Sequence, residues 1–169
     1  MSGMKIDIGI SSEARTEIAK GLEKVLADTY TLYLMTHNFH WNVTGPQFQT
    51  LHALIEAQYD QIAAAIDDTA ERIRQYGEFA PGTLKEMLEL TRLTEEPGVV
   101  PTGREMVANL VADHEAVIRQ LREDTKAAGE DFGDVAVEDY FTGLVQDHQK
   151  MAWLLRAHLW TDVGLFCAL

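Results

Sequence analysis

The 169-residue chain has little cysteine, little positive charge and no long apolar run. Its single cysteine, Cys167, excludes an internal disulfide and a cysteine-based zinc site. Fourteen basic residues against twenty-seven acidic ones leave a formal charge of −13 at pH 7, which disfavours nucleic acid or an anionic membrane as a partner and favours cations. No apolar stretch approaches the roughly 20 residues of a membrane span, and Met1–Ser12 lacks a signal-peptide pattern. We therefore expect a soluble, cytoplasmic protein.

Glycine and proline are confined to a few places, and between them apolar residues recur every three or four positions, as in amphipathic helices. The pattern predicts four long helices: Ser11 to about Trp41, the Gly45–Pro46 turn to Tyr76, Thr102 to the turn at Ala128–Gly133, and Asp134 to about Thr161. A short helix, Thr83 to about Leu90, interrupts the connection between the second and third. Capping boxes open it at Thr83/Glu86 and the third helix at Thr102/Glu105. We predict a single all-α domain over residues 1–169, a ferritin-like four-helix bundle with a short helix in its crossover.

No serine lies in a nucleophile elbow and no glycine-rich loop could cradle phosphate, which leaves metal chemistry as the class to examine. A di-iron centre within one ferritin-like chain uses Glu-x-x-His pairs. The residues three positions before the six histidines are Leu34, His37, Gln49, Val111, Val145 and Leu155. None is glutamate, so we expect no di-iron centre of that kind.

The second predicted helix carries four possible metal ligands on one face. With His52 at 0°, Glu56 falls at about 40°, and Asp67 and Glu71 fall at about 60° and 100°. His52 and Asp67 are nevertheless about 22 Å apart along the axis, so one helix cannot bring them to one metal. A solvated acidic face is the alternative explanation.

Antiparallel pairing with a second copy of this helix would bring the ligands together. In two antiparallel copies of a helix related by a two-fold axis, a residue of one copy faces a residue of the other when their two numbers add to a fixed value. His52 with Glu71 and Glu56 with Asp67 share the same sum, so both pairs would face each other across one axis. His40, at the end of the first helix, could supply a second imidazole. Two histidines and three carboxylates suit iron, with zinc, cobalt or manganese as competitors.

The chain closely resembles the Dps family of mini-ferritins over its whole length. The residues that carry the resemblance are His40–Trp41–Asn42–Val43, Gly45, Phe48, Leu51–His52, Glu56, Asp67 and Glu71. The resemblance implies a twelve-subunit shell built from two-fold dimers, in which His40, His52 and Glu56 of one subunit meet Asp67 and Glu71 of its mate at a ferroxidase centre. It also implies oxidation of Fe(II), usually by hydrogen peroxide in preference to oxygen, storage of the Fe(III) mineral, and protection against oxidative stress.

Two features depart from the family pattern. Glu56 stands where the family usually has aspartate, so this ligand reaches one methylene further. Members that bind DNA generally carry a lysine-rich tail, whereas residues 1–20 have no net charge and Gly164–Leu169 has no charged side chain. We therefore expect no DNA binding through the termini, although a DNA-coating protein is the alternative function. A bundle with a degenerate site is disfavoured, because every expected ligand type is present.

Further candidates have a structural explanation beside a functional one. The acids around the last turn are Glu130, Asp131, Asp134, Glu138 and Asp139. By resemblance, Asp131, Asp134 and Asp139 would line an iron-entry pore; the alternative is a solvated helix start. The resemblance also implies that Trp41 and Trp153 take up stray oxidising equivalents; core packing is the alternative.

Three more histidines complete the candidates. His114 and His148 are expected to form a hydrogen-bonded core pair, with a second metal site as the alternative. His37, one turn before His40, is interpreted as a surface residue.

Overall fold

The computed structural model describes residues 6–160. Its helices are α1 Ser12–Asn42, α2 Phe48–Gln75, α3 Leu84–Leu90, α4 Gly103–Lys126 and α5 Val135–Ala157, with a π-helical turn at Ala127–Asp131. Within residues 6–160 there is no β-strand, and every helix is too short or too polar to cross a lipid bilayer. α1 packs on α2 and α4 on α5, and α3 lies in the long crossover against α1. The predicted four-helix bundle with a crossover helix is confirmed.

The helix starts follow from local side-chain chemistry. The Thr83 and Thr102 hydroxyls accept from the backbone N–H of Glu86 and Glu105, whose carboxylates accept in return, so both predicted capping boxes are confirmed. α5 ends at Ala157, short of the predicted Thr161, which lies outside the described residues. Its last turn tightens, because the N–H groups of His158 and Leu159 donate to carbonyls three residues earlier.

The connection between α4 and α5 differs from the plain turn predicted over residues 128–133. α4 continues into a π-helical turn, in which the Phe132 N–H donates to the Ala127 carbonyl, five residues back. Gly133 has φ +66°, a left-handed conformation that favours glycine, and Asp134 follows as the N-cap of α5. The turn therefore fixes where α5 begins.

One face of α2 is committed to the bundle core. Leu51, Ile55, Ile62 and Ile73 are all buried, and each contributes roughly 1.5–3 kcal/mol on burial. Turning the isoleucine face inward leaves Glu56, Asp67 and Glu71 exposed on the opposite side of the helix. The core thereby determines which way the candidate ligands point.

A buried ion pair attaches the crossover to the bundle. Asp28 of α1 is 1% exposed and accepts hydrogen bonds from the Thr91 hydroxyl and from the N–H and Nε of Arg92. Arg92 also lies 2.8 Å from a carboxylate oxygen of Asp124 on α4. Because the carboxylate of Asp28 is fully hydrogen-bonded, its burial is compensated, and the crossover is held to both α1 and α4.

Candidate metal centre

His40 and His52 form a reciprocal pair where α1 meets α2. Gly45, with φ +108°, reverses the chain between the two helices. The imidazole rings stack with centroids 3.7 Å apart and planes 21° from parallel. The Nδ1 of each ring lies 3.0 Å from the backbone carbonyl oxygen of the other residue.

These two hydrogen bonds determine which nitrogen of each ring is free. A carbonyl oxygen only accepts, so Nδ1–H is the donor in both rings. In the neutral imidazole, Nε2 then keeps its lone pair and is available to a metal. The His40 carbonyl can accept because it lies in the last turn of α1, where backbone carbonyls lack helical partners.

The three candidate carboxylates do not join the imidazoles within one chain. Glu56, Asp67 and Glu71 are exposed along α2. Among the described residues, no three histidine, cysteine, aspartate or glutamate side chains come close enough to hold a metal ion together. One chain therefore presents the components of a site separately: an imidazole pair at one end of α2 and Asp67 with Glu71 toward the other.

An aromatic cluster surrounds the imidazole pair. His37 stacks on Tyr59 with centroids 4.1 Å apart and lies 4.4 Å from Trp41, and Tyr59 meets His40 edge-on at 5.1 Å. Burial, followed by the negative charge of Glu56, raises the pKa of Tyr59. His37, interpreted from the sequence as a surface residue, is half-buried, and its ring contacts Tyr59 and Trp41. The four-residue spacing of Tyr33, His37 and Trp41 on α1 is the sequence signal for this cluster.

The two candidate redox tryptophans have different surroundings. Trp41 is 61% exposed and joins the cluster through His37. Trp153 is equally exposed and has no aromatic ring contact in the part of the chain that the structure describes. Within one chain, Trp41 is therefore connected to the imidazole pair and Trp153 is not.

The acidic turn divides into exposed and buried carboxylates. Asp131 and Asp139 are exposed. Asp134 is 3% exposed, accepts from the backbone N–H groups of Ala136 and Val137 as the N-cap of α5, and accepts from the Tyr76 hydroxyl. The carboxylate of Asp134 is therefore occupied by the cap and faces the interior of the single chain, and its role in a pore between subunits stays a prediction.

The predicted core pair of His114 and His148 is confirmed. Their Nδ1 atoms lie 2.9 Å apart, and both rings are almost fully buried between α4 and α5. Burial lowers the pKa of His148 to about 4, and burial together with His148 lowers the pKa of His114. Both rings are therefore neutral at pH 7, and the Nδ1–H of one ring donates to the Nδ1 of the other.

Cys167 lies outside the described residues.

Comparison with known proteins places this arrangement in a family. The model of the ferritin-like domain matches residues 19–163. A low temperature-induced protein of Nostoc sp. is 41% identical over 155 residues, covering 92% of this chain and 87% of that protein. DNA protection during starvation protein 2 of Bacillus anthracis is 36% identical over 143 residues, covering 85% of this chain and 97% of that protein.

A solved structure agrees with these matches. The Dps protein of Vibrio cholerae O1 is described as a member of a broad superfamily of ferritin-like diiron-carboxylate proteins. It superposes with a TM-score of 0.86 at 26% identity, covering 95% of this chain and 100% of that one. By domain, by sequence and by structure, the chain belongs to the Dps family of ferritin-like proteins.

Proposed function

We propose that this protein is a ferroxidase and iron-storage mini-ferritin whose catalytic centres lie between two subunits. His40, His52 and Glu56 of one subunit would bind iron together with Asp67 and Glu71 of the partner subunit. The observation that supports this best is the reciprocal pairing of His40 and His52. It leaves the Nε2 lone pairs of two stacked rings available in a chain whose carboxylates lie elsewhere.

The donor set suits the proposed substrate. Neutral imidazole and carboxylate ligands accommodate iron, and zinc, cobalt and manganese would compete for the same donors. Glu56, being one methylene longer than the family's usual aspartate, would reach further toward the metals. The stacked rings enter the site already oriented, so less conformational freedom is lost when iron binds.

The proposed reaction consumes iron and peroxide together. Two Fe(II) ions each give one electron to hydrogen peroxide; with two protons, the O–O bond breaks to give two waters and two Fe(III) ions. The paired transfer releases no hydroxyl radical. Oxygen is the alternative oxidant. The Fe(III) would be stored as mineral inside a dodecameric shell, and Trp41 and Trp153 are proposed to take up stray oxidising equivalents.

The exposed acids of the π-helical turn are proposed to guide Fe(II) inward. Asp131 and Asp139 remain candidates for the pore because their carboxylates are exposed. A negatively charged entrance concentrates cations and raises their rate of arrival. Asp134 would contribute indirectly, by fixing the start of α5 as its N-cap.

Protection of DNA, which the names of several relatives state, is proposed to proceed here through iron chemistry in the cytoplasm. With a formal charge of −13 per chain, a shell of such subunits would repel duplex DNA. We expect DNA to be spared because Fe(II) and peroxide are removed, without direct binding.

Mixing the assembled protein with Fe(II) under anaerobic conditions, then adding peroxide or oxygen in separate runs, tests the proposed function. We expect rapid formation of Fe(III) with about two Fe(II) consumed per peroxide and little spin-trapped hydroxyl radical. His52→Ala should bind and oxidise Fe(II) slowly, whereas the matched variant His158→Ala should behave as the wild type. Equal rates in both variants would contradict the proposed centre.

A further inference from the structure

A cavity of about 570 Å³ lies between α1, the crossover and α4, and shares Trp41 with the aromatic cluster beside the imidazole pair. The second half of α1 forms one wall, crossover residues 94–99 with Pro101 form another, and α4 contributes Asn109, Ala112 and Asp113. The volume falls within the range of about 300–1,000 Å³ that small-molecule sites occupy. A molecule of ten or so heavy atoms would be enclosed on three sides.

Most of the lining is apolar. Leu34, Phe39, Trp41 and Val99 contribute aliphatic and aromatic surface. The indole of Trp41 is largely exposed, and the face of an indole ring attracts a cation at close range. An occupant would therefore need an apolar body, and a positive charge would be favoured.

The charged groups around the cavity are all of one sign. Asp113, Glu95 and Glu96 are its acidic residues, and none of its lining residues is lysine, arginine or histidine. One oxygen of Asp113 is buried without a hydrogen-bond partner. Burial raises the pKa of Asp113 to about 6, so the group is mostly ionised at pH 7.5 without a cation beside it.

The carboxylates are too dispersed for a metal ion. In the described part of the chain, no three metal-ligating side chains converge, here or elsewhere. Carboxylates separated by apolar surface instead suit a larger cation that carries its charge on an organic body. We propose that this cavity binds a small organic ammonium ion, with its charge beside Asp113 and its apolar part against Trp41 and Phe39.

Calorimetry on the assembled wild-type protein tests this proposal with phenethylammonium and its neutral analogue phenethyl alcohol as probes. At pH 7.5 we expect the amine to bind about tenfold or more tightly than the alcohol. Asp113→Asn should lose most of this preference, because it removes the charge and keeps the shape. Asp147→Asn, an exposed aspartate on α5 outside the cavity, removes the same net charge and should leave binding unchanged.

A second arm uses pH and needs no variant. Lowering the pH from 7.5 to 5 should weaken amine binding about tenfold as Asp113 is protonated, and should leave alcohol binding unchanged. Glu95 and Glu96 are the other titratable groups facing the cavity, and the α1 wall contributes none.

Three results would overturn the proposal. Equal affinity for amine and alcohol would mean that no cation is recognised. Equal loss in Asp113→Asn and Asp147→Asn would assign the effect to overall charge. Failure of the amine to bind to the wild type at millimolar concentration would exclude the site. This measurement and the comparison of pH 7.5 with pH 5 both use the wild type, so they decide the question even if Asp113→Asn does not assemble.

Discussion

The buried pair of His114 and His148 should make the protein lose stability as the pH falls below 6.5. Both rings have a lower pKa in the folded protein than the ordinary value of 6.5. Below pH 6.5 the unfolded chain therefore binds protons that the folded chain does not, and the free energy of unfolding falls as the pH falls. Replacing both histidines by leucine, which is apolar and of similar volume, should remove this dependence.

The size of the effect follows from burial. A pKa of about 4 for His148 corresponds to a contribution on the order of 3 kcal/mol, fully present above pH 6.5 and lost by pH 4. Between pH 6.5 and 5 the loss is about 1.5 kcal/mol, or roughly 3–6 °C in Tm for a domain of this size. Asp113 acts in the opposite direction, because its pKa is raised and its protonation stabilises the folded state, but the partly exposed group has a smaller effect.

Thermal unfolding followed by circular dichroism at pH 6.5 and pH 5 measures the effect. The double variant His114→Leu/His148→Leu should lose less Tm over this interval than the wild type, by about 3–6 °C. Asp113 is present in both proteins, so its contribution cancels in the comparison. His158→Gln, which removes a histidine outside the pair, serves as the control. If the double variant and the wild type lose the same Tm, the acid sensitivity does not come from this pair.

Three further predictions concern the acidic turn and DNA. The double variant Asp131→Asn/Asp139→Asn should oxidise Fe(II) more slowly than the wild type at low ionic strength, and its rate should depend less on salt. If stopped-flow rates of the variant and the wild type depend on salt in the same way, these charges do not guide Fe(II). Asp134→Ala should lower stability by about 1–2 kcal/mol through loss of the α5 cap, measured by thermal unfolding, and an unchanged Tm would contradict the role assigned here. The assembled protein should not shift plasmid DNA at low salt, pH 7.5 and with chelator present; a shift under these conditions would overturn the expectation drawn from the net charge.

Features set by neighbouring residues were predictable from the sequence. The capping boxes at Thr83 and Thr102 depend on side chains three residues apart, and the isoleucine stripe of α2 shows which of its faces is buried. The π-helical turn was not predictable, because the same short run of residues is compatible with a plain turn and with a π-helical turn.

Features that join distant segments were predicted in outline only. The numbering of His40 and His52 indicated two nearby imidazoles, but not that each donates to the other's backbone carbonyl. Asp134 looked like its exposed neighbours, since the hydroxyl that helps to bury it comes from Tyr76, at the end of another helix. Nothing in the sequence indicated that Asp28 is buried against Arg92, because a charged residue in a helix is usually solvated.

The central claim, that each iron centre takes ligands from two chains, is tested most directly by mixing two inactive variants. His52→Ala removes an imidazole from one half of the centre, and Asp67→Ala removes a carboxylate from the other. Shells co-assembled from the two variants should regain part of the wild-type Fe(II) oxidation rate, because some dimers pair an intact half with an intact half. No recovery in mixed shells whose composition is verified by mass spectrometry would contradict the shared centre and point to a site within one chain.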